Sequence, residues 1–307
     1  MILYRWRGET SNFGDELNTV LWPALLPGFF DDDPATRFLG IGSVLDRRHP
    51  AEIRKLVAGA AYGGYEGKPA LDATWTVHWV RGPRTAATLG LPREIGLGDP
   101  AVLLPHAIEI KPAPSTAIGF MPHFESAARG AWQRAADIAG VTLIDPRGQP
   151  LDILAQIARC RVLLSEALHG IIVADTLRVP WVPIRPLARI HRPKWRDWAD
   201  TVAVVPRFAS LPPSALPEWL AARAGFATCH GAGIAAERMI ARAARALERA
   251  ARAEPQLSPD AALQQCQSRQ LDALAALRRN PGCVAPGARR WCLRNQHDSP
   301  YELQPIG

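Results

Sequence analysis

A short apolar run that passes directly into a helical segment is the feature that most limits how this chain can fold. The run Val162–Leu164 predicts a buried strand, and the apolar spacing of Ala167–Leu177 predicts a helix. Glu166 and His169 lie at this junction. Ligands of open α/β sheets bind at the carboxyl ends of strands, and a helix N-terminus favours an anion through its free N–H groups. We therefore expect an α/β fold with His169 beside a phosphate or carboxylate; the alternative is a half-buried histidine that bonds its neighbours.

Further strand–turn–helix units precede and follow this junction. Strands are predicted at residues 38–45, 76–81, 118–123, 141–145 and 181–184. Repeated units of this kind imply parallel sheets covered by helices on both faces. Proline-rich residues 111–115 predict a linker, so we expect two Rossmann-like domains, residues 1–114 and 115–206, facing a central cleft in a GT-B-like fold. Residues 207–307 predict a C-terminal helical extension that partly crosses back.

Composition and charge argue against several classes of protein. Hydrophobic residues make up 48% and charged residues 21% of the chain, as in a globular protein. No run of about 18 apolar residues is present and residues 1–7 lack a signal peptide's apolar region, so we expect a cytoplasmic protein without a transmembrane helix. The net charge of +7 favours anionic partners, but no helix-turn-helix, zinc-finger or RNP-like motif points to nucleic acid. Five cysteines without CxxC spacing argue against disulfides and a zinc site, so no metal is expected.

The loop after the first predicted strand carries candidate ligand-binding residues. Within residues 7–18, Asn12 or Asp15 can cap the next helix, and Gly14 allows the backbone to approach a ligand closely. The loop lacks the ending of a P-loop and the GxGxxG fingerprint of a dinucleotide site. It is therefore either a phosphate-holding loop or an ordinary helix cap.

Arginines follow the strand at residues 76–81. Arg81 and Arg84 are three residues apart, so both can lie on one face of the helix predicted to begin there. Two guanidinium groups can grip a carboxylate or phosphate. The alternative, arginines on the surface, is weakened because cations are misplaced at a helix N-terminus. His123 ends the strand at residues 118–123 and is a further polar group at a strand terminus.

Two basic segments lie further along the chain. In residues 189–198, Arg192, Lys194 and Arg196 supply cations, and the ring of Trp195 can stack on a sugar or dock the loop on its domain. Residues 233–252 predict a helix whose arginines share one face, because they recur at spacings of four and three. That face is either a solvated surface or one attracted to anionic lipid head groups.

Short motifs across both halves occur in the order found in one enzyme family. They are Asn12–Asn18, Gly40–Ser43, Val80–Thr85, Gly98–Pro100, Ile118–His123, Ile144–Pro146, Ser165–Gly170, Ala174–Asp175, Val179–Trp181 and Lys194–Trp198. Together, over roughly residues 1–205, they resemble the polysaccharide pyruvyl transferase family. The resemblance is to the bacterial exopolysaccharide ketal pyruvate transferases of the succinoglycan and xanthan type. Residues 206–307 carry no motif of this family.

The resemblance implies a pyruvyltransferase with a GT-B-like fold and no cofactor. The implied donor is phosphoenolpyruvate, and the implied acceptor is a sugar of a lipid-linked oligosaccharide at the inner membrane face, where the protein would contact anionic lipid peripherally. The implied donor site contains Arg81 from the first domain and Leu168 and His169 from the second. The rest of the first domain is implied to face the acceptor.

One position departs from the family's donor site. The family has an arginine where this chain has Ala167, so one cation is missing. Lys194, Arg192 or Arg196 is expected to supply it, on the ground of charge and proximity in sequence.

The implied reaction needs groups that transfer protons. Protonating the methylene carbon of phosphoenolpyruvate makes the next carbon electrophilic; one sugar hydroxyl attacks, phosphate leaves and a second hydroxyl closes the ketal. His169, His123, Asp15 and Glu166 are the candidate acids and bases. Two other classes stay open at this point: a glycosyltransferase that uses a nucleotide sugar, and a non-catalytic module that binds anionic polysaccharide or membrane. Which sugar is modified, and at which hydroxyls, also stays open.

Overall fold

The computed structural model describes residues 1–110, 116–224 and 234–279. The strands in these residues form two four-stranded parallel sheets, which confirms the predicted α/β class. The predicted linker at residues 111–115 and the chain after residue 279 lie outside the described residues. Among the helices that are described, none is long and apolar enough to cross a membrane.

The first sheet has the strand order β1–β2–β3–β4. Its strands and helices are β1 (Ile2–Tyr4), α1 (Phe13–Glu16), α2 (Asn18–Leu25), β2 (Thr36–Leu39), β3 (Arg54–Ala58), β4 (Trp75–Trp79) and α3 (Pro83–Leu89). Successive strand residues face opposite sides of the sheet. Phe38 and Leu56 are register partners that pack in one core with Trp22 of α2, whereas Leu39 and Val57 pack in another with residues of α3. Both faces are therefore buried, as expected for a parallel sheet flanked by helices.

The second sheet has the order β6–β5–β7–β8. Its strands and helices are β5 (Ile118–Met121), α4 (Phe124–Arg129), α5 (Trp132–Ala139), β6 (Thr142–Leu143), α6 (Pro150–Ala158), β7 (Val162–Ser165), α7 (Leu168–Thr176), β8 (Trp181–Pro183) and α8 (Pro193–Ala199). Leu163 packs with residues of α6 and α7, and the next residue, Leu164, packs with residues of α5. The strand-to-helix junction predicted from the sequence is thus confirmed: β7 ends at Ser165 and α7 begins at Leu168.

Three helices follow: α9 (Leu216–Ala224), α10 (Ile234–Ala251) and α11 (Asp260–Arg279). α10 buries Ile240 and Leu247 in the core beside the second sheet and exposes its arginines. This arrangement confirms the predicted one-sided basic helix. α11 returns to the first sheet, where Gln267 Nε2 donates a hydrogen bond to the carbonyl oxygen of Val102 at 2.8 Å.

The helix predicted at residues 127–139 is two helices, α4 and α5, with a break at Gly130. Gly130 has extended backbone angles, and the indole of Trp132 donates to Glu218 of α9 at 2.7 Å. This contact orients α5 toward α9, so tertiary packing overrides the helical pattern of the sequence.

One hydrophobic core joins the two sheets. It contains Phe13 and Phe38 from the side of the first sheet, and Leu163 and Ile171 from the side of the second. A backbone hydrogen bond from Phe13 N–H to the carbonyl of Pro146 at 2.8 Å also links the two sides. Where this joint core ends, a cavity opens at the carboxyl ends of the strands.

Candidate active site

The cleft is a cavity of about 540 Å³ lined by residues that follow strands of both sheets. Its position agrees with the rule that open α/β sheets bind ligands beyond the carboxyl ends of their strands. The predicted site residues that line it are Asn12, Gly14, Asp15, Arg81, His123, Leu168, His169 and Lys194.

His169 is paired with a carboxylate that belongs to the side of the first sheet. Its Nε2 lies 3.3 Å from Oδ2 of Asp99, which is fully buried. The other carboxylate oxygen of Asp99 accepts the backbone N–H of Ala101 at 3.1 Å, at the start of the 3₁₀ helix Pro100–His106. Burial raises the pKa of Asp99, but the charges of His169 and Arg81 outweigh burial and lower it overall. Asp99 is therefore an anion that orients the imidazole.

Gly14 allows His169 to sit against α1, the helix that carries Asp15. A Cβ atom at Gly14 would lie only 1.9 Å from His169 Nδ1, so a larger residue does not fit there. Asp15 is buried, and Asn12 Nδ2 donates to its Oδ2 at 2.5 Å. Burial raises the pKa of Asp15 to about 6, against the opposing effects of His169, Asn12 and Lys194. Asp15 can therefore take or give a proton near neutral pH.

Arg81 places a buried guanidinium group in the cleft. Its side chain is 1% exposed, Nε lies 3.4 Å from Asp197 Oδ2, and Nη1 donates to Ser43 Oγ at 3.3 Å. Its Nη2 is buried and has no hydrogen-bond partner among the described residues. A buried charged donor without an acceptor is costly, so this arrangement favours an anionic ligand at Arg81.

Lys194 brings a second cation to the cleft. It is the second residue of α8 and lines the cavity together with Ala167, the position at which the family has an arginine. Burial, followed by the positive charge of Arg81, lowers the pKa of Lys194 to about 8, although Asp15 and Glu125 raise it. A lysine in this environment still carries a proton at neutral pH.

The position of Glu166 does not match the catalytic role predicted for it. It is 3% exposed, lies outside the lining of the main cavity, and accepts the backbone N–H groups of His123 at 3.0 Å and Leu187 at 2.9 Å. Burial raises its pKa. Glu166 therefore holds two chain segments together. His123 does line the cleft, where its ring stacks on that of His191 with centroids 4.2 Å apart.

Arg84 lies outside the cleft. Its Nε donates to Asp200 Oδ2 at 2.7 Å on the protein surface. The prediction placed Arg81 and Arg84 on one helical face, but α3 begins at Pro83 and Gly82 has extended backbone angles. Arg81 therefore precedes the helix, and the two side chains diverge.

The other residues expected from the basic segment also lie elsewhere. Trp195 is fully buried against Phe208, with ring centroids 5.1 Å apart, so its ring cannot stack on a sugar in this structure. Arg192 Nε donates to the carbonyl of Pro186 at 3.1 Å, and Arg196 is exposed. Of the three cations expected to compensate for Ala167, Lys194 is the one that lines the cleft.

Sequence reasoning gave no role to Asp99 or Asp197, although both lie in the quoted motifs. Asp197 accepts the N–H groups of Arg84 at 2.9 Å and Thr85 at 3.0 Å, and the hydroxyl of Thr85 at 2.6 Å. It thereby caps α3 and also faces Arg81. The available signal was that each of these carboxylates lies within a family motif, and the motif of Asp197 also contains the cleft residue Lys194.

A buried arginine and a partly buried lysine beside a histidine–aspartate pair define the site of an α/β enzyme that acts on an anionic group. The family model for Polysaccharide pyruvyl transferase matches residues 66–186. The Succinoglycan biosynthesis protein ExoV of Rhizobium meliloti (strain 1021) is 35% identical over 312 residues, covering 90% of this chain and 98% of that protein. The chain therefore belongs to the polysaccharide pyruvyl transferase family and is a pyruvyltransferase. No solved structure matches it.

This assignment replaces both alternatives left open by the sequence. A glycosyltransferase would transfer a sugar, and a binding module would transfer nothing, whereas the family transfers a pyruvyl group.

The desolvated carboxylate of Asp15 should reduce stability at neutral pH. Its folded pKa of about 6 exceeds the ordinary 3.8, so the folded protein binds more protons between these values and loses stability as the pH rises through them. Asp15→Asn keeps an oxygen for Asn12 and removes the charge. We expect the variant to be more stable by about 3 kcal/mol at pH 8, with the difference shrinking toward pH 4, in urea unfolding.

Asp152→Asn is the control, because Asp152 is exposed on α6 and its replacement should change stability by less than about 0.5 kcal/mol. If Asp15→Asn were less stable than the wild type at pH 8, the conclusion that burial raises the pKa of Asp15 would be wrong.

Proposed function

We propose that this enzyme transfers pyruvate from phosphoenolpyruvate to two hydroxyls of one sugar in a lipid-linked exopolysaccharide repeat unit. The products are a pyruvate ketal and inorganic phosphate. The observation that carries the proposal is that Nη2 of Arg81 has no hydrogen-bond partner among the described residues and lies in the same cleft as Lys194 and His169, which is paired with Asp99. The name of the similar protein ExoV, a succinoglycan biosynthesis protein, supports the exopolysaccharide context.

The donor is bound mainly by charge. Phosphoenolpyruvate carries a carboxylate and a phosphate, and Arg81 and Lys194, which both line the cleft, supply two cations. The N-terminus of α7, whose first residue is Leu168, adds free N–H groups and a partial positive charge. These groups also stabilise the phosphate as it leaves.

Proton transfer falls to His169 and Asp15. His169 donates a proton to the methylene carbon of phosphoenolpyruvate, which makes the neighbouring carbon electrophilic. Asp15, whose pKa burial raises to about 6, accepts the proton of the first attacking hydroxyl. Phosphate then leaves with the proton held by Asp15, and the second hydroxyl attacks the same carbon and gives its proton to the imidazole of His169, so both groups return to their starting states. The atoms of phosphoenolpyruvate and the two sugar hydroxyls are therefore all accounted for in the pyruvate ketal and inorganic phosphate. Asp99 is a positioning residue that holds the imidazole of His169.

The proposed architecture is GT-B-like. In this arrangement, residues 1–114 face the acceptor and contribute Arg81, and residues 115–206 form the donor side. Residues 207–307 form the extension, whose α10 exposes a row of arginines. That row supports peripheral contact with anionic lipid at the cytoplasmic membrane face, where a lipid-linked acceptor is found.

Replacing His169 should impair chemistry more than donor binding. We expect His169→Ala to lower kcat by about 10²- to 10⁴-fold, because a single general acid–base contributes on that order. KM for phosphoenolpyruvate should change less, since Arg81 and Lys194 remain. The assay follows phosphate release together with the mass of the pyruvylated acceptor. His106→Ala is the control, because His106 is exposed at the end of its 3₁₀ helix. Near wild-type turnover in His169→Ala would refute the assignment.

The charge of Lys194 should set an alkaline limit on donor capture. Its pKa of about 8 means that the ammonium loses its proton as the pH rises through that value. We expect kcat/KM for phosphoenolpyruvate to fall above pH 8 in the wild type, because this ratio reports groups of the free enzyme. Lys194→Arg keeps its charge, so the fall should be absent there. Equal declines in both proteins would rule out Lys194 as the titrating donor-site cation.

A further inference from the structure

We propose that His123, Glu125 and His191 form a binding site for a divalent transition-metal ion, Zn²⁺ in the first instance, at one edge of the cleft. One potential ligand atom from each residue lies within 4.8 Å of the others. All three residues line the cleft. The proposal concerns metal binding itself and does not depend on phosphoenolpyruvate being the donor.

The distances between the three donor atoms suit one small ion. Glu125 Oε2 lies 2.9 Å from His191 Nε2 and 3.5 Å from His123 Nδ1. Ligands at the usual Zn–N and Zn–O bond lengths of about 2.0 Å are roughly 3.3 Å apart around a tetrahedral ion. A metal ion bonds a histidine nitrogen in the plane of the ring, and the rings of His123 and His191 are stacked at an angle of 27°, so one ring must rotate for both to bind the same ion.

His191 is held with its Nε2 toward the proposed ion. The hydroxyl of Tyr65 lies 2.9 Å from His191 Nδ1, the ring nitrogen on the opposite side. A hydrogen-bonding group on the second nitrogen of a metal-binding histidine fixes the ring and its tautomer, as metal sites commonly require. Tyr65 therefore acts as a positioning residue.

The backbone that carries the ligands is also fixed. Glu166 accepts the N–H of His123, which precedes α4, and the N–H of Leu187, which lies just before the 3₁₀ helix Arg189–His191. One buried carboxylate thus ties together the two segments that supply the ligands. Because the site is ordered by protein contacts, an ion would bind without a large ordering cost.

The donor set and its surroundings select the kind of ion. Two imidazoles and one carboxylate favour Zn²⁺, Co²⁺ or similar ions over Mg²⁺ and Ca²⁺, which prefer oxygen ligands. Lys194 and Arg129 line the same cleft and repel a cation, and the negative charge of Glu125 offsets this repulsion. Three protein ligands leave a coordination position for an oxygen from solvent or substrate, as in catalytic rather than structural zinc sites.

Metal binding to the chelator-treated full chain tests the proposal directly. Zn²⁺ is titrated in competition with a chromogenic chelator, and Co²⁺ is titrated while its visible d–d bands are recorded. We expect one Zn²⁺ per chain. Glu125→Gln and His191→Ala should weaken binding by more than about 100-fold, and Tyr65→Phe by about 10- to 100-fold. His106→Ala, which removes an exposed imidazole away from the cleft, should bind as the wild type does.

Two results would overturn the proposal. The first is no stoichiometric Zn²⁺ binding by the wild-type protein. The second is unchanged affinity in Glu125→Gln, which would place the ion elsewhere. Thermal melting checks that each variant is folded, and Glu125→Gln, the most conservative change, decides the matter if His191→Ala does not fold. Loss of phosphoenolpyruvate turnover alone leaves these binding results unaffected, so the two proposals can fail separately.

Discussion

The contact between Asp99 and His169 links the sides of the two sheets beside the cleft. Asp99 lies at the start of a 3₁₀ helix on the side of the first sheet, and His169 lies in the first turn of α7 beside the second. A fully buried carboxylate costs several kcal/mol to desolvate unless it is paired. Separating the two sides would leave that charge unpaired. The contact therefore positions the imidazole and also opposes opening of the cleft.

Asp197 makes a second connection of the same kind. It belongs to α8, which also carries Lys194, yet it caps α3 on the side of the first sheet and faces Arg81. One carboxylate thus positions two proposed donor-binding cations relative to each other. Because Asp197 already satisfies several donors, part of the Arg81 guanidinium is left free for an anion. The binding site thus arises because the buried guanidinium of Arg81 is only partly paired within the fold.

The sequence predicted the fold class and much of the cleft, because both depend on local pattern. The run into His169 identified a strand end of the second sheet, and Asp15 and Arg81 follow strands of the first sheet, whose carboxyl ends also face the cleft. The strand end did not reveal which side chains enter the cleft: Glu166 lies behind it, bound to the backbone N–H groups of His123 and Leu187, whereas His169 lines it. The proposed metal ligands were missed because Glu125 and His191 are far apart in sequence, and no local spacing connects them.

The most direct test of the account is a calorimetric titration of phosphoenolpyruvate into the wild type, Arg81→Lys and Arg84→Lys. The two variants make the same substitution three residues apart, but only the first alters an arginine that lines the cleft. We predict one donor molecule bound per wild-type chain, an affinity loss of about 10-fold or more in Arg81→Lys, and wild-type affinity in Arg84→Lys. Equal affinity in all three proteins, or no binding by the wild type even with acceptor present, would contradict the claim that this cleft holds the donor.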